Sequence, residues 1–245
     1  MEPDVVIRPG TPAQDARRLL NAHLHRLHLA HGTLCVHAAA MRHPRRDAVI
    51  MLLGGHGAGK TLVALKLALQ GWQAVAGDVS LLDCAPGRAS VSGGTRALLA
   101  RRAAVRRWFP ELALPAHGQT RVELGGLPAL AGLGWSRGGA LEAAVVVAVD
   151  GDPQPADCAM ENLNPHTAET TWLRASGHLL DRVLEREGPV LREFEDATAA
   201  GRRLALLRGL SARMPLRAMW GSPHRIADRI ERLVARPRAG MTGDQ

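Results

Sequence analysis

Hydrophobic residues along this chain form two kinds of pattern. Runs that are apolar at nearly every position, 48–53 and 141–150, predict strands buried on both faces, and the second of them must be central. In 61–70 leucines recur at helical spacing, and the predicted helix ends at Gly71. Weaker patterns predict further strands at 33–41, 73–76, 79–83, 88–91, 120–124 and 214–220, and further helices at 12–31, 164–187, 189–210 and 222–234. Strands that alternate with helices predict an α/β fold.

The N-terminal residues 1–32 are predicted to form a strand-and-helix extension. Val5 to Ile7 is the short apolar lead, Thr11 suits the N-cap of the helix and Pro12 suits its first position. The apolar stripe of this helix consists of Leu20, Leu24 and Leu27.

A single domain is predicted over residues 1–236. The chain has 245 residues, 46% of them hydrophobic, and is long enough to bury a substantial core. Residues 110–140 are rich in Gly and Pro, and we expect this loop-rich segment to act as a lid over a substrate. The tail 237–245 is predicted to be disordered.

The composition limits the classes of partner. The formal net charge is +8, and almost all of the positively charged residues are arginines. We interpret them as a solvated surface on which a few arginines bind phosphate. Aromatic residues make up 3% of the chain, too few for the stacking platform of a single-strand binder, and nucleic acid is not an expected partner. No apolar run approaches the roughly 20 residues that span a bilayer, and the first residues show neither the basic n-region nor the apolar h-region of a signal peptide. With three scattered cysteines and no CxxC motif, we expect a cytoplasmic protein without a membrane partner.

The strongest chemical signal is the glycine-rich turn between the strand 48–53 and the helix 61–70. It matches G-x-x-x-x-G-K-[ST], the Walker A or P-loop motif, in the strand–loop–helix order that the motif requires. The glycines let successive N–H groups point at a phosphate, and the helix N-terminus adds partial positive charge. The expected nucleotide-binding residues are Gly54, Gly55, His56, Gly57, Ala58, Gly59, Lys60 and Thr61. A similar turn that binds nothing is the alternative.

Lys60, Thr61, Asp78 and His37 are the candidates for chemistry. Lys60 would reach the β- and γ-phosphates, and the Thr61 hydroxyl would join a magnesium shell. Asp78 follows the strand 73–76, where open α/β sheets bind ligands, and is predicted to bind the metal or accept a proton. A hairpin from the strand 33–41 into the P-loop strand would place His37 beside the loop. The alternatives are a solvated turn for Asp78 and a core histidine for His37.

These residues resemble the C-terminal P-loop domain of HPr kinase/phosphorylase and the HPr-kinase-related proteins. The resemblance comes from a V-H-A strand at 36–38, a short hairpin, the P-loop 54–61, the helix that ends at Gly71, and the acidic position Asp78. It is strong over about 33–83 and loose elsewhere. In place of the family's Asp pair, this chain has Gly77 followed by Asp78, so one carboxylate is missing.

The resemblance implies a mixed central sheet, similar to that of phosphoenolpyruvate carboxykinase, and an ATP-dependent, magnesium-requiring kinase. The γ-phosphoryl group would go to a serine-like hydroxyl of a peptide or small metabolite, with Lys60, Asp78 and His37 as catalytic residues and Thr61 and Asp78 as metal ligands. The family forms hexamers, so a homo-oligomer is left open. The alternative function is a nucleotide-gated binding module with vestigial catalysis, which the missing carboxylate favours.

Overall fold

The computed structural model describes residues 6–115, 117–130, 134–150, 158–184 and 191–235. Within these ranges the chain folds into six α-helices and eleven strands. The helices are α1 (Ala13–Ala30), α2 (Lys60–Leu69), α3 (Arg102–Trp108), α4 (Pro165–Gly177), α5 (Ala197–Arg213) and α6 (Pro223–Ala235). The strands are β1 (Thr33–His37), β2 (Ala39–Arg42), β3 (Val49–Leu53), β4 (Gln73–Ala76), β5 (Val79–Ala85), β6 (Arg88–Gly94), β7 (Leu99–Arg101), β8 (Arg121–Glu123), β9 (Gly139–Val149), β10 (Ala159–Asn162) and β11 (Leu216–Gly221).

Nine of these strands form one mixed, mostly antiparallel sheet. Its main path runs β1-β5-β6-β9-β3-β2-β4, and β11 pairs with β9 and carries β10. The parallel pairs are β3 with β9 and β9 with β11, so three parallel strands end at the same edge. The described chain is therefore a mixed α/β protein, and the prediction of a mixed central sheet is confirmed.

The central strands are buried on both faces because helices cover both sides of the sheet. In β9, Val145 and Val147 belong to the core under α2, α3 and α6, whereas Ala144 belongs to the core under α1, α4 and α5. Neighbouring side chains of β3 alternate in the same way, with Leu52 on the first side and Leu53 on the second. Two apolar cores explain why the sequence of these strands shows no polar face.

The predicted strand 33–41 is two strands that separate at Ala38. Before this point β1 pairs with β5, and His37 lies opposite Val79. After it β2 pairs with β3, and Ala39 lies opposite Leu52. The continuous strand was therefore wrong, although the hairpin from β2 into the P-loop strand is confirmed.

The N-terminal helix differs most from its prediction. It begins at Ala13, and the Thr11 hydroxyl donates to the Arg8 carbonyl instead of capping the helix. The buried residues of α1 are Asp15, Ala22, His25 and Leu29, while the predicted stripe is 40–47% exposed at Leu20, Leu24 and Leu27. No strand precedes the helix within residues 6–12.

The C-terminal elements follow the prediction with shifted bounds. Helix α4 has Asn164 as its N-cap, as the sequence indicates, but ends at Gly177. Helix α5 begins at Ala197, where the Asp196 carboxylate accepts from the Ala199 N–H. Residues 237–245, predicted to be disordered, lie outside the described part of the chain. Among the described residues no helix combines the length and the apolar character needed to cross a bilayer.

Candidate functional site

The glycine-rich turn is built between the end of β3 and the start of α2. Gly54, Gly57 and Gly59 have φ values of 142°, 84° and 92°, in the region that side chains with a Cβ rarely adopt. Gly59 is the N-cap of α2, so Lys60 and Thr61 lie in the first turn, where backbone N–H groups lack intrahelical acceptors. The backbone therefore has the conformation and the free donors that an anion site requires.

The turn packs directly on the central strand β9. The Val149 N–H donates to the Ala58 carbonyl at 2.9 Å. A Cβ at Gly54 would lie 2.8 Å from the Val147 carbonyl oxygen, and one at Gly59 would lie 2.2 Å from a Val149 methyl group. Only glycine fits at these two positions, and the turn is held in place by the strand beside it.

Lys60 is buried at the base of this turn. Its Nζ donates to the carbonyl oxygens of Gly54 at 2.9 Å and Gly55 at 3.2 Å, and the residue is 7% exposed. Burial lowers the pKa of Lys60, and the negative charge of Asp78 partly offsets the effect. The Lys60 amine thus links the first two carbonyl groups of the turn, and it lies close enough to Asp78 for that carboxylate to influence its pKa.

Asp78 and His37 form a pair at the ends of two strands. His37 is the last residue of β1, Asp78 follows β4, and His37 Nε2 lies 3.2 Å from Asp78 Oδ1. The His37 side chain is 7% exposed and that of Asp78 is 57% exposed. The hydrogen bond from His37 lowers the pKa of Asp78 to about 2, against a weaker upward effect of burial. Asp78 is therefore an anion that is open to solvent on one side.

His178 was missed by the sequence analysis. It is the C-cap residue of α4, and its ring stacks on that of His37 with centroids 3.7 Å apart and planes 17° apart. Arg182 contacts His178 Nε2 at 2.6 Å. Burial lowers the pKa of His178 to about 3, and the nearby charge of Arg182 adds to the effect. A single histidine at a helix end carries no sequence signal that would single it out.

Positive charges act on His56 at the tip of the turn. Burial lowers the pKa of His56, and positive charges, led by Arg182 and including Lys60 and Arg121, lower it further. Arg182 follows α4, whereas Arg121 begins β8 in the loop-rich segment 110–140. Cations from distant parts of the chain therefore lie close enough to influence the same glycine-rich turn.

Position 77 has no room for a second carboxylate. A Cβ on Gly77 would lie 1.8 Å from the Ala97 carbonyl oxygen, and the Gly77 N–H donates to the Thr95 carbonyl at 2.9 Å. The segment 95–97, which connects β6 to β7, thus occupies the space where a side chain would begin. The missing carboxylate is a consequence of backbone packing.

The donors present fit a magnesium ion that is shared with a phosphate. Asp78 offers a solvent-facing carboxylate, and Thr61 is half-buried in the first turn of α2. Among the described residues no three His, Cys, Asp or Glu side chains converge on one point. A cation here would therefore need phosphate oxygens and water for most of its shell, which suits Mg²⁺.

Comparisons with known proteins add little to this geometry. No protein-family model matches the chain, and no curated protein matches it. Among solved structures, the chain is similar to the Hpr(Ser) kinase/phosphatase from Coxiella burnetii, with 13% identity, 82% of this chain and 93% of that chain covered, and a TM-score of 0.34. At so low a TM-score the likeness says nothing about what this chain binds or does.

Proposed function

We propose that this chain is an ATP-dependent, magnesium-requiring phosphotransferase with a P-loop fold of the HPr kinase type. It moves the γ-phosphoryl group to a hydroxyl of a peptide or small metabolite. One observation carries the proposal: the glycine-rich turn with Lys60 and the Asp78–His37 pair all lie at the carboxyl ends of β3, β4 and β1. The carboxyl ends of β3 and β4, which run in the same direction, form the kind of edge at which open α/β sheets bind ligands.

The glycine-rich turn and Lys60 bind the polyphosphate. Backbone N–H groups of the turn and of the first turn of α2 donate to phosphate oxygens. Lys60 exchanges its two carbonyl acceptors, Gly54 and Gly55, for phosphate oxygens, which accept more strongly because they are charged. The positive rim that includes Arg182 and Arg121 attracts the anionic nucleotide.

Asp78 serves as a metal ligand and not as the general base. A carboxylate with a pKa of about 2 is a weak proton acceptor but is fully ionised at neutral pH, as a hard cation requires. Together with Thr61 it would hold Mg²⁺, which supplies charge neutralisation at the transferring phosphoryl group. His37 keeps this carboxylate charged and oriented through its Nε2–H.

Because a dedicated second carboxylate is missing, the acceptor hydroxyl passes its proton to water or to a phosphate oxygen of the nucleotide. Gly77 stands where that group would be, and the backbone at Ala97 excludes it. Phosphoryl transfer depends mainly on positioning and charge neutralisation, and a general base contributes typically about 10²- to 10⁴-fold. We therefore expect slow but real transfer.

The exclusion at Gly77 also favours a second function, a nucleotide-gated binding module. In such a protein ATP orders the segments around the turn, and the remaining carboxylate only holds the metal. The two functions make the same prediction for nucleotide binding and opposite predictions for turnover.

Two variants and one control test the proposal. Lys60→Ala should weaken Mg-ATP binding about tenfold to a hundredfold, because it removes charge-assisted hydrogen bonds. Asp78→Asn should keep nucleotide affinity within about threefold and lower turnover at least about a hundredfold. Lys66→Ala, on the same helix, is the matched control and should change neither quantity. Binding is measured by titration calorimetry, and turnover by ADP release with serine, glycerol and serine-containing peptides as acceptors.

The outcomes separate the two functions. Binding that Lys60→Ala weakens about tenfold or more, together with turnover that Asp78→Asn lowers at least about a hundredfold, supports the phosphotransferase. Binding without turnover in the wild-type chain for any of these acceptors supports the binding module. No heat with Mg-ATP or Mg-GTP would overturn both.

A further inference from the structure

His178 lies outside every motif of the sequence and yet contacts the centre of the candidate site. Its ring covers one face of the His37 ring at 3.7 Å. The position of His178 is well anchored, because Ser176 and Leu180 on either side of it are buried. Arg203 donates to the Leu173 carbonyl at 3.2 Å and to the Ser176 hydroxyl at 3.1 Å, which holds the end of α4.

The contact with Arg182 selects one tautomer of His178. A guanidinium group can only donate, so His178 Nε2, 2.6 Å away, must be an acceptor and the ring proton is on Nδ1. His178 is thus an uncharged ring. A neutral ring can stack on His37 at van der Waals distance without the repulsion that two imidazolium rings would produce.

The contact with Asp78 selects the opposite tautomer of His37. An ionised carboxylate only accepts, so His37 Nε2, 3.2 Å from Asp78 Oδ1, carries the proton. The χ2 angle of a histidine lies in a broad energy well, and a single long hydrogen bond to a half-exposed partner defines it poorly. A second ring lying nearly parallel on the first restricts this rotation.

We propose that His178 is a positioning residue, which holds the His37 ring in the plane that keeps its Nε2–H on Asp78, and that Arg182 in turn orients His178. The order of contacts is Arg182 to His178, His178 to His37, and His37 to Asp78. The inference rests on the proposed function, since Asp78 is its metal ligand. It adds two residues from the end of α4 to a site that the motif confines to β1, β3 and β4.

The test uses three variants of the full chain. His178→Ala removes the stacked ring, His178→Phe keeps a flat ring of similar size without nitrogen atoms, and His166→Ala alters an exposed histidine near the start of the same helix as the matched control. Isotope-edited NMR of the histidine ring nitrogens reports the His37 tautomer in the nucleotide-free protein. Turnover and Mg-ATP affinity are measured beside it, and thermal melting shows that each variant is folded.

We expect His37 to be the Nε2–H tautomer in the wild-type chain and a mixture of tautomers in His178→Ala. Turnover of His178→Ala should fall about tenfold with Mg-ATP affinity within about twofold, because only the reacting geometry loosens. His178→Phe should recover the Nε2–H tautomer and most of the rate. The control His166→Ala should match the wild-type chain in all three quantities.

An unchanged His37 tautomer in a folded His178→Ala overturns the inference, whatever the rate does. Loss of the rate in His178→Phe equal to that in His178→Ala also overturns it, because a stacked ring would then not be what matters. If no variant and no wild-type chain turns over ATP, the proposed function fails, but the NMR result still decides the role of His178.

Discussion

Asp78 with His37 and Glu195 with His25 are chemically similar pairs in two different regions. In each, a carboxylate lies near an imidazole, and in each the pKa of the carboxylate is about 2. Their exposure differs: the side chain of Asp78 is 57% exposed, whereas that of Glu195 is 6% exposed. The first pair lies at the ends of strands beside the glycine-rich turn, and the second lies between α1 and α5.

The buried pair is completed by an arginine. Arg203 donates to both oxygens of Glu195, at 2.6 and 2.7 Å, and its remaining nitrogen contacts Ser176 and Leu173. Burial alone would raise the pKa of Glu195, and His25 and Arg203 together reverse that effect. His25 Nε2 lies 3.7 Å from Glu195 Oε1, too far for a hydrogen bond, so Arg203 is the closer partner.

The comparison shows what makes a carboxylate functional in this fold. Glu195 has both oxygens occupied by a planar donor and is almost inaccessible to solvent, so we assign it to the packing of α1 and α5. Asp78 has one partner and an open side, so a cation can reach it. Both carboxylates have a low pKa, so a low pKa alone does not show which of them belongs to a functional site.

The largest expected effect is the loss of protein stability when the buried pair is broken. Arg203→Ala leaves the Glu195 charge buried and unpaired and should lower the free energy of unfolding by about 3–5 kcal/mol. Arg208→Ala, an exposed arginine on the same helix, should change it by less than about 0.5 kcal/mol. Urea unfolding followed by circular dichroism measures both. A loss in Arg203→Ala no larger than in the control would show that the pair is not a stabilising element.

An intermediate effect is expected at Gly77, beside the open pair. Gly77→Ala places a Cβ against the Ala97 carbonyl oxygen and should lower the free energy of unfolding by about 1–3 kcal/mol, since backbone must move. Gly93→Ala is the control, because a Cβ there meets nothing within 4 Å. Equal stability of the two variants in thermal melts would mean that the segment 95–97 yields easily and that position 77 could accept a side chain.

The smallest effect is on the pH dependence of stability. A carboxylate whose folded pKa is depressed stabilises the fold above its unfolded pKa and loses that contribution as pH falls. For Glu195 the loss occurs as pH falls from about 4.5 towards 2, and for Asp78 from about 3.8 towards 2.

Two variants separate these contributions. Glu195→Gln should flatten the fall in stability below about pH 4.5 more than Asp78→Asn does, because water screens the exposed pair. Denaturation midpoints across the acid range measure the slopes. A steeper dependence on Asp78 than on Glu195 would contradict the contrast between the two pairs.

Much of the glycine-rich turn was predictable from the sequence. The strand β3, the turn and α2 are consecutive, and the φ values of the turn and the hydrogen bonds from Leu62 and Val63 to Gly59 involve residues close along the chain. The same holds for Asp78, because it directly follows β4 and a strand end defines its position. The prediction that β9 is central is confirmed for the same reason, since an apolar strand needs cover on both faces.

Long-range packing explains the features that the prediction missed. The leucine stripe of α1 was expected to be its apolar face, but the helix turns Ala22, His25 and Leu29 inward, and Glu195 from a distant segment lies 3.7 Å from the His25 ring. His178 stacks on His37 from the end of α4, which Arg203 on α5 contacts through Ser176. Neither contact can be inferred from the spacing of residues along the chain.

The amino-acid order alone specified the strand–turn–helix unit, the lysine in it and the acidic residue after β4. These features depend on short-range hydrogen bonds and on the burial pattern of residues that are neighbours in the chain. The tertiary structure decided which imidazole contacts Asp78 and which ring stacks on that imidazole. It also decided that position 77 has no room for a side chain. Those choices depend on contacts between segments far apart in the chain, whose free energies no local pattern encodes.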